Sequence, residues 1–394
     1  MNAPQAFRRT RHTWLLYLAF AVFGYLINGL GPVTPFLKAE LGLTYTQASL
    51  HFSAFAAGMI AAGLGGHLAA ARLGRRLTLW FSLFGMCAGA LGLAAGRSAW
   101  VTVGASFGMG CVGMLMAAVV PSGLSDEHGE NRAIPLAELN LVAAVFSAAA
   151  PLLIGWFATT ALGWRFGLAV PLGAALLIAL AFGRLALVGD GPRGGSGPSS
   201  PSQELDGAAG RLPGRYWIFF VVIILVVAAE YCMVWWCADY MEKVVGLPKA
   251  AAAQAVSVFL AGLISGRVVC SRLLLRFRPL QLLNGSLGLA VMGFLLFWGV
   301  PAPWQGAAGL FLTGAGVAGL FPMTQSLALA ASGGNTLQAS TRAALASGIA
   351  VFVLPLVLGR LADAVGIRLA YGLVLALFLA AAGVVRVSAA RAAA

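Results

Sequence analysis

Long apolar stretches alternate with short polar segments along the whole chain. Each stretch has about 20 residues, which is enough for an α-helix to cross the hydrocarbon core of a bilayer. Because every backbone N–H and C=O group in lipid must be satisfied within the segment, these stretches predict membrane helices. Twelve spans are predicted, at residues 13–37, 46–70, 77–96, 99–123, 136–159, 164–186, 216–238, 250–272, 279–300, 304–330, 337–359 and 366–387.

One segment interrupts this pattern. Residues 187–215 are rich in Gly, Pro and Ser, carry charges of both signs and have no hydrophobic periodicity. Such a composition buries too little apolar surface to fold alone, so it predicts a flexible linker. The linker separates two halves of six spans each, residues 1–186 and 216–394.

The two halves also resemble each other in sequence. Phe55–Ile60 matches Phe259–Ile264, 204 positions later (259 − 55), and Pro151–Gly155 matches Pro355–Gly359 at the same offset. Because six spans return the chain to the side on which it started, both copies have the same orientation. The expected fold is an all-α membrane protein with two six-helix bundles related by a pseudo-two-fold axis, an architecture found among secondary transporters.

Composition supports this interpretation, since only 9% of the residues are charged against about 25% in a soluble domain. The net charge of +13 therefore indicates topology and not nucleic-acid binding. Eighteen of the 25 Lys and Arg residues fall on the side of the N-terminus, which favours cytoplasmic termini and a cytoplasmic linker. The scarcity of Lys beside abundant Ala and Gly suggests a bacterial protein, hence one of the cytoplasmic (inner) membrane.

The sequence contains no pattern that supports an enzyme or a cofactor-binding protein. The five cysteines are odd in number and form no CxxC pair, so neither a disulfide framework nor a metal site is expected. Two GxGxxG motifs, Gly108–Gly113 and Gly314–Gly319, lie inside apolar spans, where small residues indicate close helix packing and not a nucleotide-binding loop. We expect no cofactor and no enzymatic activity.

The loop after the second span resembles a signature of the major facilitator superfamily, which reads roughly G-x-L-a-D-R-x-G-R-R. Here it reads Gly66-His-Leu-Ala-Ala-Ala-Arg72-Leu-Gly74-Arg75-Arg76, with alanine at the acidic position. A second stretch, from Gly359 to Arg368, fits the letters better but is interpreted as an outer turn. The resemblance covers nearly the whole chain and implies a secondary transporter whose spans 1, 4, 7 and 10 line a central cavity.

Glu230 in span 7 is the one acid that the predicted spans place well inside the hydrocarbon. An intramembrane carboxyl group is costly and by default marks a substrate or proton pathway. Its neighbours on the same helix at three and four residues are apolar, so any partner comes from another helix. The alternatives are a structural carboxyl group that joins two helices, or one near the outer interface. His51 in span 2 is a second candidate for proton coupling, or a hydrogen-bonded residue near a helix end.

Other polar and aromatic residues are candidates for substrate binding. The resemblance directs Asn28 and Gln325 towards the central cavity, although hydrogen bonding between helices is the other role open to such residues. The aromatic candidates would form a wall for an amphipathic substrate or join an interfacial belt. The full set is Tyr25, Asn28, Asn140, Tyr231, Trp235 and Gln325.

Arginines cluster in the loops after spans 2 and 8, where they are expected to close the cytoplasmic side: Arg72, Arg75, Arg76, Arg272 and Arg276. No Lys or Arg lies at the middle of a span, although Arg267 lies near the inner end of span 8. Since a dianionic substrate usually needs a central cation, phosphate-like and dicarboxylate substrates are disfavoured.

The sequence thus predicts a monomeric, proton-coupled transporter in a lipid bilayer that moves a small neutral, weakly cationic or amphipathic organic molecule by alternating access. Export is preferred, because the expected lining is apolar and aromatic. Proton-coupled uptake of a small metabolite such as a monocarboxylate or sugar is the alternative. An alternative of another class is a non-transporting sensor or lipid-handling protein.

Overall fold

A computed structural model describes residues 8–185, 212–299 and 302–393, with the side chains of 66–72, 337 and 387–393 outside the description. The regular structure in these ranges is helical. Its helices are α1 (Arg11–Leu41), α2 (Tyr45–Leu73), α3 (Arg75–Ala95), α4 (Ala99–His128), α5 (Ala133–Ala158), α6 (Trp164–Phe182), α7 (Gly214–Lys243), α8 (Lys249–Leu273), α9 (Pro279–Gly299), α10 (Pro303–Val317), α11 (Leu320–Ala330), α12 (Thr336–Val365), α13 (Ile367–Ala370) and α14 (Gly372–Ala393), with a 3-10 turn at Gly129–Asn131.

Twelve helical segments of the described chain are long and apolar enough to cross a membrane, which confirms the predicted all-α class and the number of spans. Span 10 consists of α10 and α11 together, and span 12 of α13 followed by α14. The predicted linker at 187–215 falls mostly outside the described residues and stays a prediction. The helix that follows it, α7, begins at Gly214.

Local sequence explains where the first helix begins and ends. The Thr10 side chain accepts a hydrogen bond from the backbone N–H of Thr13, and the Thr13 hydroxyl accepts one from the Thr10 N–H, forming a reciprocal cap. The helix stops before Gly42, which adopts a left-handed conformation with φ of 62°. Glycine occupies this conformation without the steric cost that a Cβ would bring.

Several helices continue beyond the apolar runs that predicted them. The stretch from Gly359 to Arg368, expected to be an outer turn, is helical as far as Val365, and the chain turns only at Gly366 with φ of 81°. The expectation of a turn was wrong because hydropathy falls at Arg360 and Asp363 while helical hydrogen bonding continues. Asp363 accepts hydrogen bonds from the backbone N–H groups of Tyr45 (2.7 Å) and Thr46 (2.8 Å).

The described chain divides into two compact units. The first comprises Met1–Leu43 and Leu50–Gly191, and the second comprises Thr44–Ser49 and Pro192–Ala394. The first turn of α2 thus groups with the second unit, where Asp363 caps it in the way that an acidic side chain stabilises exposed N–H groups at a helix N-terminus.

Helices α2 and α4 of the first unit cross with their backbones in contact. A Cβ added at Gly58 would lie 2.2 Å from the carbonyl oxygen of Phe107, and one added at Gly110 would lie 2.0 Å from that of Phe55. Only glycine permits this approach. Close contact of this kind holds helices together in lipid, where apolar burial gives no advantage over contact with acyl chains.

Helices α8 and α10 of the second unit cross in the same way. A Cβ added at Gly262 would lie 2.1 Å from the Phe311 carbonyl oxygen, and one at Gly314 would lie 2.1 Å from that of Phe259. Each of these four residues stands 204 positions after its counterpart in the first unit. The repeat read from the sequence is therefore present in the packing, and the GxGxxG motifs mark helix crossings as expected.

The two copies differ in one respect. Helix α4 is continuous over Ala99–His128, whereas the corresponding span of the second unit breaks after Val317 and resumes at Leu320. Gly319 lies in this break and Pro322 follows it in the first turn of α11. Proline lacks the N–H group that would bond the preceding turn, so it favours a helix start at this point.

The crossing of α2 and α4 predicts different effects on stability for alanine substitutions at two glycines of α4. We expect Gly110→Ala to destabilise the protein by about 1–3 kcal/mol, since the added methyl group meets backbone that cannot move aside. Gly108→Ala is the matched control: it is exposed, has no atom within 4 Å of an added Cβ and should be neutral or slightly stabilising. Thermal unfolding of both variants in detergent tests this, and equal midpoints would contradict it.

Candidate functional site

Helix α7 is buried on all sides over most of its length. From Val226 to Met241 every side chain is buried except those of Glu230 and Tyr231, which are half-buried. A membrane helix that is covered by protein all round usually presents apolar groups. Glu230 and Tyr231 are therefore the two positions of this stretch that the surrounding helices cover incompletely.

The Glu230 carboxylate has no hydrogen bond or ion pair within the described part of the chain. Among the described acidic residues only the exposed Glu130 shares this property. The charge whose field acts on Glu230 is the guanidinium of Arg267 on α8, although the two do not form a salt bridge within 4.0 Å. The predicted structural role, in which the carboxylate joins two helices by a hydrogen bond, thus has no contact to support it.

The other predicted residues of the second unit lie near this acid or on a helix that packs against α7. The ring of Tyr231 packs edge-on against that of Trp235, with the centroids 4.9 Å apart. Trp235 itself is fully buried. Gln325 lies on α11, which packs on α7; it is half-buried and makes no side-chain hydrogen bond among the described residues. Tyr231 and Gln325 are half-buried polar residues of the second unit, and their role in substrate binding stays a prediction.

The substrate-binding candidates of the first unit are hydrogen-bonded within that unit. The Tyr25 hydroxyl donates to the Gly167 carbonyl oxygen at 2.7 Å, which joins α1 to α6. The Asn28 amide donates to the Ser147 hydroxyl at 2.9 Å, which joins α1 to α5. Asn140 is exposed on α5 and donates to the carbonyl oxygen one turn earlier. The contacts of Tyr25 and Asn28 favour the alternative role in helix packing.

His51 is buried at the contact between α2 and α4. Its Nε2 lies 2.8 Å from the hydroxyl oxygen of Thr102, which also donates to carbonyl oxygens of its own helix. The imidazole is thus built into the packing of the first unit, whereas Glu230 belongs to the second. This geometry favours the structural alternative for His51.

The basic loop after α2 contacts its own unit. Arg75 forms an ion pair with Asp126 at the end of α4, and Arg76 donates to the Gly183 carbonyl oxygen at 2.5 Å. Asp126 thus supplies a carboxylate that the loop itself lacks. The side chain of Arg72 lies outside the described residues. Arg272 and Arg276 of the second unit are exposed, with no side-chain partner among the described residues.

A buried polar network at the end of α4 was missed in the sequence. Glu127 lies 2.7 Å from Nδ1 of His12 and 3.6 Å from Nε2 of His128, and it also accepts a hydrogen bond from Thr10. The three side chains are about nine-tenths buried. No group of acidic, His or Cys residues in the described chain is placed to hold a metal ion, so the cluster is interpreted as a hydrogen-bond network between α1 and α4.

Two further acids of the first unit are also paired. Glu138 accepts hydrogen bonds from Arg9 and from the Tyr17 hydroxyl, which joins the start of α1 to α5. Glu40 binds Arg165 and the Trp164 ring N–H at the opposite end of the unit. Glu40, Glu127 and Glu138 of the first unit are therefore paired within that unit, whereas Glu230 of the second is not.

Twelve helical segments of the described chain are long and apolar enough to cross a membrane, an arrangement that fits a membrane transporter better than an enzyme. The chain belongs to the Major Facilitator Superfamily, whose family model matches residues 16–333. No curated protein matches the sequence significantly.

Solved transporters share the fold. A bacterial homologue of the human lysosomal transporter Spinster, in an inward-facing and unoccupied conformation, aligns with a TM-score of 0.78 at 16% identity over 96% of each chain. The nucleoside transporter NupG aligns with a TM-score of 0.74 at 13% identity, over 95% of this chain and 97% of that one. The xylose transporter XylE from E. coli aligns with a TM-score of 0.67 at 14% identity, over 94% of this chain and 95% of that one. At such identities the likeness shows the fold alone.

The buried network predicts a strong effect on stability. We expect Glu127→Ala to lower the unfolding free energy by about 3–5 kcal/mol, because it leaves buried polar partners unsatisfied. Glu130→Ala, at an exposed position three residues away, is the control and should change little. Thermal unfolding in detergent measures both, and an unchanged midpoint for Glu127→Ala would show that the network does not hold α1 to α4.

Proposed function

We propose that the protein is a proton-coupled secondary transporter of a small organic molecule and that Glu230 carries the coupled proton. The observation that supports this is a half-buried carboxyl group without a hydrogen bond or ion pair, among the described residues, on an otherwise buried stretch of α7. A group that exchanges protons needs access to water. A group that only joins helices needs a fixed partner, which Glu230 lacks among the described residues.

Export by antiport is the preferred direction. A carboxyl group that holds a proton in one state and a substrate in the other cannot hold both, so competition at Glu230 couples the two fluxes. The aromatic ring of Tyr231 beside it favours a substrate with an apolar or aromatic part. Binding of such a molecule displaces the proton, and its release allows the proton to return.

Uptake by symport is the second candidate, and Arg267 favours it. A guanidinium whose field reaches Glu230 could hold the carboxylate of a small monocarboxylate while Glu230 carries the proton. In this mechanism proton and substrate bind together. The sign of proton movement during substrate addition separates the two candidates.

We further propose that the protein is a monomer of a bacterial cytoplasmic membrane, with both termini and the linker in the cytoplasm. The excess of arginine on that side supports this orientation. The loops that carry Arg75, Arg76, Arg272 and Arg276 then lie at the cytoplasmic face, where their charges can act as a gate.

Glu230→Gln should abolish proton movement. In proteoliposomes exposed to a lipophilic cation, a sugar, a monocarboxylate and an amino acid, we expect at least one compound to move protons with the wild-type protein. With the variant we expect a decrease of at least tenfold, while exchange of labelled for unlabelled compound continues at a saturating concentration of that compound. The continued exchange shows that the variant is folded.

Glu130→Gln is the matched control, an acid without a partner outside the buried stretch of α7, and should behave as wild type. Equal proton movement in Glu230→Gln and wild type would overturn the assignment of the proton to Glu230.

Orientation has its own test. A fluorescent protein fused after Ala394 should be fluorescent in bacterial cells, because it folds in the cytoplasm. Alkaline phosphatase fused after Gly246, in the turn between α7 and α8, should be active because that turn faces outwards. Activity of a phosphatase fused after Ala394 would reverse the topology.

A further inference from the structure

We infer that Glu230 and Arg267 are the two ends of one binding site, and that the transported molecule is a zwitterion with an ammonium group and a carboxylate. The inference rests on the proposed function, in which Glu230 is the acid at which proton and substrate exchange. It adds Arg267 as a second, oppositely charged contact. It thereby changes the expected substrate from a neutral or weakly cationic compound to an amphoteric one.

The two side chains come from neighbouring antiparallel helices at similar depth. Glu230 precedes the end of α7 by 13 residues, and Arg267 follows the start of α8 by 18. At 1.5 Å per residue their backbones lie about 20 Å and 27 Å from the turn that joins the helices. The axial difference of about 7 Å, across packed helices about 8–10 Å apart, is within reach of a long arginine side chain.

The face of α8 that carries Arg267 is turned towards protein. Val256, Leu260 and Leu263 precede it at helical spacing, and all three are at least 95% buried. Gly262 and Gly266, on another face, contact α10. Arg267 is the first exposed residue of this row, and Ser271 beyond it is exposed too. The row therefore leaves the protein interior at Arg267, towards the end of α8 that carries Arg272.

Both charges are left without a partner by the described structure. Arg267 makes no hydrogen bond or ion pair there, and neither does Glu230. They act on each other electrostatically, yet they are not in salt-bridge contact. Unlike charges on packed helices that do not pair with each other leave room for a ligand that bridges them.

The chemistry of each end selects its part of the ligand. Guanidinium binds a carboxylate through two parallel hydrogen bonds, and a carboxylate accepts hydrogen bonds from an ammonium group. Tyr231 follows Glu230 in the chain and is half-buried, so the part of the ligand next to its ammonium group meets an aromatic ring. A zwitterion with an apolar or aromatic side chain matches all three features.

The test compares compounds that differ only in charge. L-phenylalanine, 4-aminobutyrate and 6-aminohexanoate serve as zwitterions of increasing charge separation. The methyl ester of each removes the anion and the N-acetyl derivative removes the cation. Binding to the full-length protein in lipid nanodiscs is measured for wild type, Arg267→Gln and Glu230→Gln, with Arg360→Gln, an exposed arginine on α12, as the control.

At least one zwitterion should bind wild type at least tenfold more tightly than its methyl ester. Arg267→Gln should remove that preference, with binding of the ester unchanged, and Arg267→Lys should restore part of it. Glu230→Gln should weaken the binding of the zwitterion and of the ester but not the binding of the N-acetyl derivative. Arg360→Gln should match wild type.

Two outcomes would overturn the inference. Either no zwitterion binds, or Arg267→Gln weakens the binding of the zwitterion and of its ester equally. Either result leaves the proton assay on Glu230→Gln unaffected, so the inference can fail while the proposed function stands. If instead proton movement survives in Glu230→Gln but the carboxylate preference disappears in Arg267→Gln, the proton assignment fails and Arg267 remains the anion-binding end.

Discussion

Helices in a bilayer gain little from hiding apolar surface from one another, because the acyl chains are equally apolar. Direct contact between backbones has to supply the attraction. In this protein the contact is made at Gly58 and Gly110 in one unit and at Gly262 and Gly314 in the other. The arrangement of the remaining side chains depends on these crossings, since a single methyl group at any of the four would separate the helices.

The two units have similar helix crossings but differ in how they accommodate charged side chains. A charge in low dielectric is stable only with a partner or with access to water. The first unit uses partners: Glu127 with two histidines, Glu138 with Arg9 and Glu40 with Arg165. In the second unit Glu230 is half-buried and Arg267 on the neighbouring helix is exposed, and neither has a hydrogen-bond or ion-pair partner among the described residues. The proposed exchange chemistry follows from this difference.

The sequence was sufficient for the fold because hydropathy and the offset of 204 residues are properties of the chain itself. It was less informative about the site. Tyr25 and Asn28 looked like cavity residues, but their partners Gly167 and Ser147 lie far away in sequence and become apparent only in the folded chain. Glu127 was missed because the apolar run ends before it, although the helix does not.

The interruption of the second unit's fourth span between Val317 and Leu320 makes the two copies mechanically unequal. Helix α4 stays continuous although Pro121 lies inside it. Its counterpart is interrupted near mid-length, three residues after Gly314 at the glycine crossing. The two parts of that span can therefore change direction separately, which gives the second unit a joint that the first unit lacks.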